Sequence, residues 1–242
     1  MDVVWERKLK IHWDSTDQFG RLSLPGLGQL LISTAVEHAE SLGFGYRHLR
    51  KENLNWVLFR MNFEILRFPL WDEEIRVITW PSGVQGLLGL REFQIKDLQG
   101  KELVKVSSEW MIIDLEKRRP KRLNQFTDVL KYKKTEKVLT SEPLEPNDKG
   151  HFKDLFSVTI RHADLDLNGH ATAKRYFEWI DDSLFEVLGE SGIRNLEKIQ
   201  VTFLHEAYLH EKVALQVDEK LTTVRGLKND GKTVFMAVVK IK

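Results

Sequence analysis

Three polar side chains with useful chemistry lie within five consecutive residues of the second half of the chain. The segment Asp166-Leu167-Asn168-Gly169-His170 combines a carboxylate, an amide and an imidazole just before an apolar, helix-like stretch. An imidazole exchanges a proton near neutral pH, a carboxylate can act as a base, and an amide can hold a carbonyl oxygen. Asp and Asn also favour turns and helix starts, because they accept hydrogen bonds from nearby backbone amides. The segment alone leaves both an active site and a structural turn open.

A fourth candidate, Glu206, falls inside the strand-like run 201–208. A carboxylate on a strand usually lies on the solvent-facing side of a sheet. If this strand covers the helix that follows His170, Glu206 instead lies close to the Asp-Asn-His turn. Glu206 is therefore a candidate acid or base.

Composition and missing motifs argue against other kinds of chemistry. The 242 residues carry a net charge of +1, without the basic excess of nucleic-acid-binding proteins, and include no Cys for a thiol nucleophile or thiolate metal site. His205 and His210 lie five positions apart, which does not fit a zinc-binding helix. We predict no metal, no cofactor, no nucleic acid and no membrane span. The N-terminus has no secretory pattern, which predicts a cytoplasmic location.

The first half of the chain is predicted to contain one helix and a meander of strands. Apolar residues at helical spacing predict a helix over 26–42, and a period of two predicts strands afterwards. The predicted strands cover 56–68, 74–80, 89–96 and 103–113. The charged stretch 131–150 contains two prolines and predicts an exposed linker between domains 1–130 and 151–242.

The second half repeats this order of elements. A strand over 152–161 and a helix over 173–189 precede the remaining predicted strands, which cover 199–209, 212–224 and 232–241. An offset of 149 positions superposes Asp166 on Asp17 and Gly169 on Gly20. The first copy ends its turn with Arg21 instead of His170, so only the second copy has the acid, the amide and the imidazole. We predict an α+β protein made by tandem duplication, each half a helix on an antiparallel sheet.

The sequence resembles the acyl-acyl-carrier-protein (acyl-ACP) thioesterase family over nearly its whole length. In the second half the resemblance rests on the segment 164–170, Asp-Leu-Asp-Leu-Asn-Gly-His, followed by Tyr176. In the first half it rests on five stretches: Trp56-Val57-Leu58-Phe59-Arg60-Met61, Phe68-Pro69-Leu70-Trp71-Asp72-Glu73, Thr79-Trp80-Pro81-Ser82-Gly83, Leu90-Arg91-Glu92-Phe93 and the run 108–120. The resemblance implies two hot-dog domains in tandem, the first of which binds the acyl chain.

By this resemblance, Asp166, Asn168, His170 and Glu206 fall on the family's catalytic positions. The chain departs from the family's usual pattern after His170, where Ala171-Thr172-Ala173 replaces residues that include two amides. Some plant members have Cys after the catalytic Glu, where this chain has Ala207. A mechanism here must therefore use water or a carboxylate.

The resemblance implies hydrolysis of fatty acyl-ACP to free fatty acid. Our hypothesis is that Glu206 activates water, that Asp166 and Asn168 position it, and that His170 and the amides of the following helix polarise the thioester carbonyl. Asp166 and Glu206 can exchange roles. The alternatives are an acyl-CoA thioesterase of the same fold and a non-catalytic protein that binds acyl thioesters.

An acyl carrier protein is acidic, so its docking site is expected to be basic. The candidates are Arg118, Arg119, Lys121, Arg122 and the segment Lys131–Lys134. Because a tandem repeat can pair its halves internally, a monomer and a homodimer both stay open.

Overall fold

The protein, as a computed structural model, is described over residues 2–126, 131–139, 142–147 and 150–242. It divides into two compact units. Unit 1 comprises Met1–Ser23 and Leu30–Ser141, and unit 2 comprises Leu24–Gln29 and Glu142–Lys242.

Unit 1 is an antiparallel sheet with one long and one short helix. The helices are α1 (Leu24–Ser41), which belongs to unit 1 from Leu30 onward, and α2 (Tyr46–Lys51). The strands are β1 (Trp5–Lys10), β2 (Leu54–Ile65), β3 (Glu74–Gln85), β4 (Leu88–Asp97), β5 (Glu102–Asp114) and β6 (Arg119–Pro120). They pair in the order β1-β3-β4-β5-β2, and β6 adds to β5.

The long helix of unit 1 buries the apolar residues whose spacing predicted it. Leu27, Leu31 and Ala35 are almost fully buried. The end of the helix forms a cluster with residues of the following loop, against which Trp56 of β2 and Val84 of β3 pack. Burial of this apolar stripe is what holds a helix on a sheet.

Unit 2 repeats the architecture with one long helix, which is kinked at Gly189 (φ +62°). The elements are β7 (Phe152–Thr159), α3 (Ala173–Arg194), β8 (Leu196–Phe203), β9 (Lys212–Asp218), β10 (Thr223–Lys228) and β11 (Thr233–Ile241). The strands pair antiparallel in the order β8-β11-β10-β9-β7. The ring of Tyr176 on α3 lies edge-on to Phe203 of β8 and Phe235 of β11, so α3 packs on this sheet. Each unit is therefore a helix on an antiparallel sheet, as the sequence predicted.

Two predicted strands of unit 2 differ from the structure. The strand predicted over 199–209 ends at Phe203, so Glu206 lies in the following loop. The strand predicted over 212–224 is two strands, because the Asp218 carboxylate accepts the backbone amides of Thr222 and Thr223, both at 2.8 Å, and closes a turn. Carboxylate-to-amide hydrogen bonds of this kind stop a strand without Gly or Pro.

The stretch predicted as an exposed linker makes contacts within both units. Val138 is buried, and its amide donates to the Glu92 carboxylate at 3.3 Å. The side chain of Asn147 donates to Asp218 at 3.1 Å. Four positions of the stretch, 140–141 and 148–149, lie outside the described residues. The division into domains 1–130 and 151–242 stays a prediction.

Candidate active site

The Asp166 carboxylate organises the turn that carries three of the four candidate residues. Its Oδ1 accepts the backbone amides of Asn168 at 2.8 Å and His170 at 3.3 Å. Its Oδ2 accepts the Asn168 side-chain amide at 3.3 Å. Gly169 has φ +77°, a conformation that suits Gly, and the Asp166 amide donates to the His170 carbonyl at 2.8 Å. The turn thus places His170 next to the start of α3 at Ala173.

The His170 imidazole and the Glu206 carboxylate lie close together at the centre of the site. The imidazole Nδ1 lies 3.2 Å from Glu206 Oε1. The His170 side chain is 14% exposed and that of Glu206 is 38% exposed, so the pair is accessible to water yet partly shielded from it. When Nδ1 carries the proton that it donates to Glu206, the other ring nitrogen, Nε2, is the acceptor of the neutral imidazole.

The loop that carries Glu206 is fixed to the turn through its backbone. The Ala171 amide donates to the Ala207 carbonyl at 2.8 Å, and His170 pairs with Tyr208 as an isolated antiparallel bridge. Glu206 therefore reaches His170 from a loop, and not from the strand that the sequence predicted.

Unit 1 contains the same turn and loop with the same backbone hydrogen bonds. Asp17 Oδ1 accepts the amides of Phe19 at 2.9 Å and Arg21 at 3.2 Å, and Gly20 has φ +69°. The Leu22 amide donates to the Pro69 carbonyl at 2.7 Å, as Ala171 does to Ala207. Leu22 matches Ala171 in this arrangement, and Pro69 matches Ala207. The structure thus supports the duplication that the sequence indicated.

The two copies differ in the side chains attached to this shared backbone. Arg21 stands where His170 stands, and its Nε binds Asp17 Oδ2 at 2.6 Å. Phe68 stands where Glu206 stands, with the Arg21 guanidinium 4.8 Å from its ring centre. The first copy thus has a cation on an aromatic ring in place of an imidazole and a carboxylate.

Both halves of the chain match models of one protein family. The family models of the acyl-ACP thioesterase N-terminal and C-terminal domains match residues 2–130 and 147–236. The chain belongs to the acyl-ACP thioesterase family. The turn and the loop of the His170–Glu206 pair both lie within the C-terminal match.

Relatives in this family come from plants and bacteria. An oleoyl-acyl carrier protein thioesterase of Coriandrum sativum is 27% identical over 229 residues, 85% of this chain and 61% of its own. An acyl-acyl-carrier-protein hydrolase of Cuphea viscosissima is 28% identical over 236 residues, 91% of this chain and 54% of its own. The chain spans about half the length of the curated relatives that it matches.

Solved structures of the acyl-ACP thioesterase family have the same fold as this chain. An acyl-ACP thioesterase from Bacteroides thetaiotaomicron matches with a TM-score of 0.84 at 25% identity, over 99% of this chain and 98% of its own. The 12:0-ACP thioesterase from Umbellularia californica matches with a TM-score of 0.77 at 18% identity, over 100% of this chain and 98% of its own. The predicted α+β tandem hot-dog fold is confirmed.

Two tyrosines near the His170–Glu206 pair were not among the predicted site residues. The Tyr208 hydroxyl donates to Glu206 Oε2 at 2.5 Å. Burial raises the pKa of Tyr176 well above its ordinary value, although a hydrogen bond to the Ala207 backbone lowers it in part. Tyr208 lies two positions after Glu206, and residues at this spacing share a face of an extended segment. This spacing could have indicated Tyr208 from the sequence.

The structure brings the four predicted residues together as two pairs. His170 pairs with Glu206, and Asp166 binds Asn168 and the turn amides. Among the described residues, no group of three or more His, Asp or Glu side chains is arranged to hold a metal ion. No helix in the described ranges is long and apolar enough to cross a membrane.

Proposed function

We propose that this protein hydrolyses the thioester bond of fatty acyl-ACP and releases free fatty acid. The observation that carries the proposal is the His170–Glu206 contact at 3.2 Å. It occurs in the copy of the turn where the family resemblance puts the catalytic positions, while the other copy has Arg21 and Phe68 in its place. Membership in the acyl-ACP thioesterase family supports the same reaction.

We assign His170 as the general base and Glu206 as the residue that orients it. Glu206 Oε1 lies 3.2 Å from His170 Nδ1, and Glu206 Oε2 accepts a hydrogen bond from the Tyr208 hydroxyl. A carboxylate that binds Nδ1–H fixes the tautomer in which Nε2 accepts a proton. This assignment differs from our sequence-based hypothesis, in which Glu206 activates the water and His170 polarises the thioester carbonyl.

In the proposed reaction, His170 Nε2 takes a proton from water as the water oxygen attacks the thioester carbonyl carbon. The Asn168 side chain and the first-turn amides of α3 are the groups that we assign to the developing oxyanion. The tetrahedral intermediate then breaks its C–S bond, and the imidazolium returns the proton to the departing thiolate. The products are a fatty acid and the carrier's free thiol.

The acyl carrier protein is proposed to dock on exposed arginines of unit 1. Arg118, Arg119 and Arg122 are exposed around the short strand β6. Lys121 binds Asp114 at 3.1 Å, and Lys134 binds Glu136 at 2.7 Å, so carboxylates of this chain already offset their charges. We centre the docking proposal on Arg119 and Arg122, which are both exposed. Docking by Arg118 and by the segment Lys131–Lys134 stays a prediction. Acyl-chain binding by the first domain, a cytoplasmic location and the oligomeric state stay predictions.

Thiol release on two carriers tests the proposal against its alternatives. We would measure kcat/KM for one acyl group on ACP and on coenzyme A, and then vary the acyl chain on ACP from C8 to C18. We expect turnover on acyl-ACP with the higher kcat/KM. A higher kcat/KM on acyl-CoA would favour a coenzyme A thioesterase, and binding of both without thiol release would favour the non-catalytic alternative.

A further inference from the structure

Tyr208 contacts both members of the His170–Glu206 pair. Its hydroxyl donates to Glu206 Oε2 at 2.5 Å, and its ring lies edge-on to the His170 ring, with 5.0 Å between centroids and 86° between planes. We infer that Tyr208 is a positioning residue that holds the His170–Glu206 pair in its reactive arrangement. The inference rests on the proposed function.

The hydroxyl restrains a carboxylate that would otherwise have freedom to turn. Glu206 is 38% exposed and comes from a loop, so its side chain has space to adopt other rotamers. With Oε2 bound to Tyr208, Oε1 is the oxygen that faces His170 Nδ1. The short hydrogen bond to an ionised oxygen is of the strong kind. Tyr208 therefore favours the one carboxylate orientation that fixes the imidazole tautomer.

An ion pair between Glu211 and the buried Lys228 in turn holds the backbone of Tyr208. The Tyr208 amide donates to Glu211 Oε2 at 2.9 Å, and the Glu211 amide donates to the Tyr208 carbonyl at 3.0 Å. Lys228 of β10, with a side chain only 8% exposed, contacts both Glu211 oxygens at 3.1 and 3.2 Å. Its Nζ also donates to the Glu206 backbone carbonyl at 3.3 Å. We call Lys228 and Glu211 the loop clamp.

Unit 1 has an equivalent clamp but lacks the tyrosine. Arg67 binds Glu73 through two hydrogen bonds of 2.8 and 2.6 Å and donates to the Phe68 carbonyl at 3.3 Å. Glu73 accepts the amide of Leu70, which occupies the place of Tyr208. The clamp is therefore part of the shared scaffold, whereas the hydroxyl occurs in the copy that has the carboxylate. Because the unit 1 loop is held by its ion pair without a tyrosine, the Tyr208 hydroxyl is not needed to fix the loop. This observation favours a role for the hydroxyl in positioning Glu206.

The test compares Tyr208→Phe, which keeps the ring, with Tyr208→Leu, which copies unit 1. The control is Tyr46→Phe, which removes a hydroxyl that binds Arg50 in α2. We would measure kcat and KM on acyl-ACP, and the 15N chemical shifts of the His170 ring in the free protein. For Tyr208→Phe we expect kcat to fall about 10- to 100-fold with KM within about twofold, because a hydrogen bond to a charged group is lost.

The ring nitrogens provide a readout that does not depend on turnover. Wild type should show His170 with the proton on Nδ1, and both Tyr208 variants should show a mixture of tautomers, while Tyr46→Phe resembles wild type. Turnover within about twofold of wild type in Tyr208→Phe overturns the inference. If wild type releases no thiol on any carrier, the proposed function fails, and an unchanged His170 tautomer in Tyr208→Phe then overturns the positioning role separately.

Discussion

Asp17 and Asp166 stabilise their two turns through the same backbone hydrogen bonds. Each accepts the amides two and four positions ahead, and each turn has a Gly with positive φ at its third position after the Asp. The second oxygen of each carboxylate differs in its partner. Asp17 binds the buried Arg21, whereas Asp166 binds the side-chain amide of Asn168. The two copies therefore differ in the side chains around a shared Asp, and not in the Asp itself.

Alanine variants of Asp17 and Asp166 distinguish an effect on stability from an effect on thiol release. Asp17→Ala should lower the free energy of unfolding by about 2–4 kcal/mol, because it leaves the buried Arg21 cation without its partner. Asp166→Ala should cost about 1–2 kcal/mol, because an exposed turn loses its amide acceptor. Only Asp166→Ala should reduce thiol release. Urea unfolding measures the two free energies, and thiol release is measured at urea concentrations at which both variants are folded. Equal losses of turnover in Asp17→Ala and Asp166→Ala would contradict the account.

At the scale of the secondary-structure elements, α1 joins its sheet through a buried neutral histidine. Arg91 of β4 lies with Nη1 3.0 Å from His38 Nδ1, and His38 Nε2 lies 3.3 Å from the Asp2 carbonyl. Since Arg donates and cannot accept, Nδ1 is the acceptor and Nε2 carries the proton. Burial, and to a smaller extent the neighbouring Arg91 charge, lower the pKa of His38 to about 4.

This histidine should make unit 1 sensitive to acid. The folded pKa of about 4 lies below the ordinary value of 6.5, so between these values the unfolded chain binds the proton and the folded chain does not. The stabilisation is complete above pH 6.5 and is lost as pH falls toward 4, by about 3 kcal/mol at most. His38→Gln should remove this part of the pH dependence.

Urea unfolding of wild type and His38→Gln at pH 7.0, 5.5 and 4.5 measures the difference. We expect the two free energies of unfolding to converge as the pH falls. Parallel curves across the range would show that His38 does not contribute.

The loop clamp predicts a second pair of contrasting variants. Lys228→Met and Arg67→Met each leave a Glu without its cation, so each should lower the free energy of unfolding by about 1–3 kcal/mol. Lys228→Met should also reduce kcat, because the Glu206 backbone loses its support. Arg67→Met should leave kcat unchanged. Chemical unfolding and thiol release measure both, and full activity in Lys228→Met would argue against the clamp.

Element types were predictable from the sequence because their periodicity reflects burial. Helix α1 was expected over 26–42 and spans 24–41. The end of β8 at Phe203 was not predictable from periodicity, because apolar residues continue into the loop. The second turn of this sheet, at Asp218, depends on side-chain hydrogen bonds that leave no periodic signal.

The match between Glu206 and Phe68 was hidden by a difference in spacing. Arg21 and Phe68 are 47 positions apart, whereas His170 and Glu206 are 36 apart, so one fixed offset cannot superpose both pairs. Unit 1 places the additional helix α2 in that interval. The turn could therefore be located from the sequence, while the partner of its histidine required the fold.

At the scale of the whole molecule, one architecture has two chemically different copies. Both units keep the turn, the clamped loop and the helix on a sheet. The copy in unit 1 has an arginine held by Asp17 and stacked on Phe68, which offers no base. We expect this division to appear in the variants of each copy, with stability affected by both and turnover by one.

The proposed docking of the carrier depends on the summed charge of the protein surface. The double variant Arg119→Glu/Arg122→Glu should raise KM for acyl-ACP, most strongly at low salt, and leave kcat unchanged. Arg47→Glu, at an exposed arginine of α2, is the control with one reversed charge elsewhere. Initial rates across 20–500 mM salt, about the range over which screening changes most, measure the effect. A KM equal to that of wild type at every salt concentration would exclude the arginines from docking.

Single-turnover thiol release from acyl-ACP tests most directly whether the His170–Glu206 pair performs the chemistry. The variants are His170→Gln and Glu206→Gln, and the control is His205→Gln, because His205 is adjacent to Glu206 yet binds the Thr233 carbonyl at 2.8 Å. The account predicts a loss of about 10²- to 10⁴-fold in the first two variants and wild-type rates in the control. Near-wild-type rates in His170→Gln would contradict it.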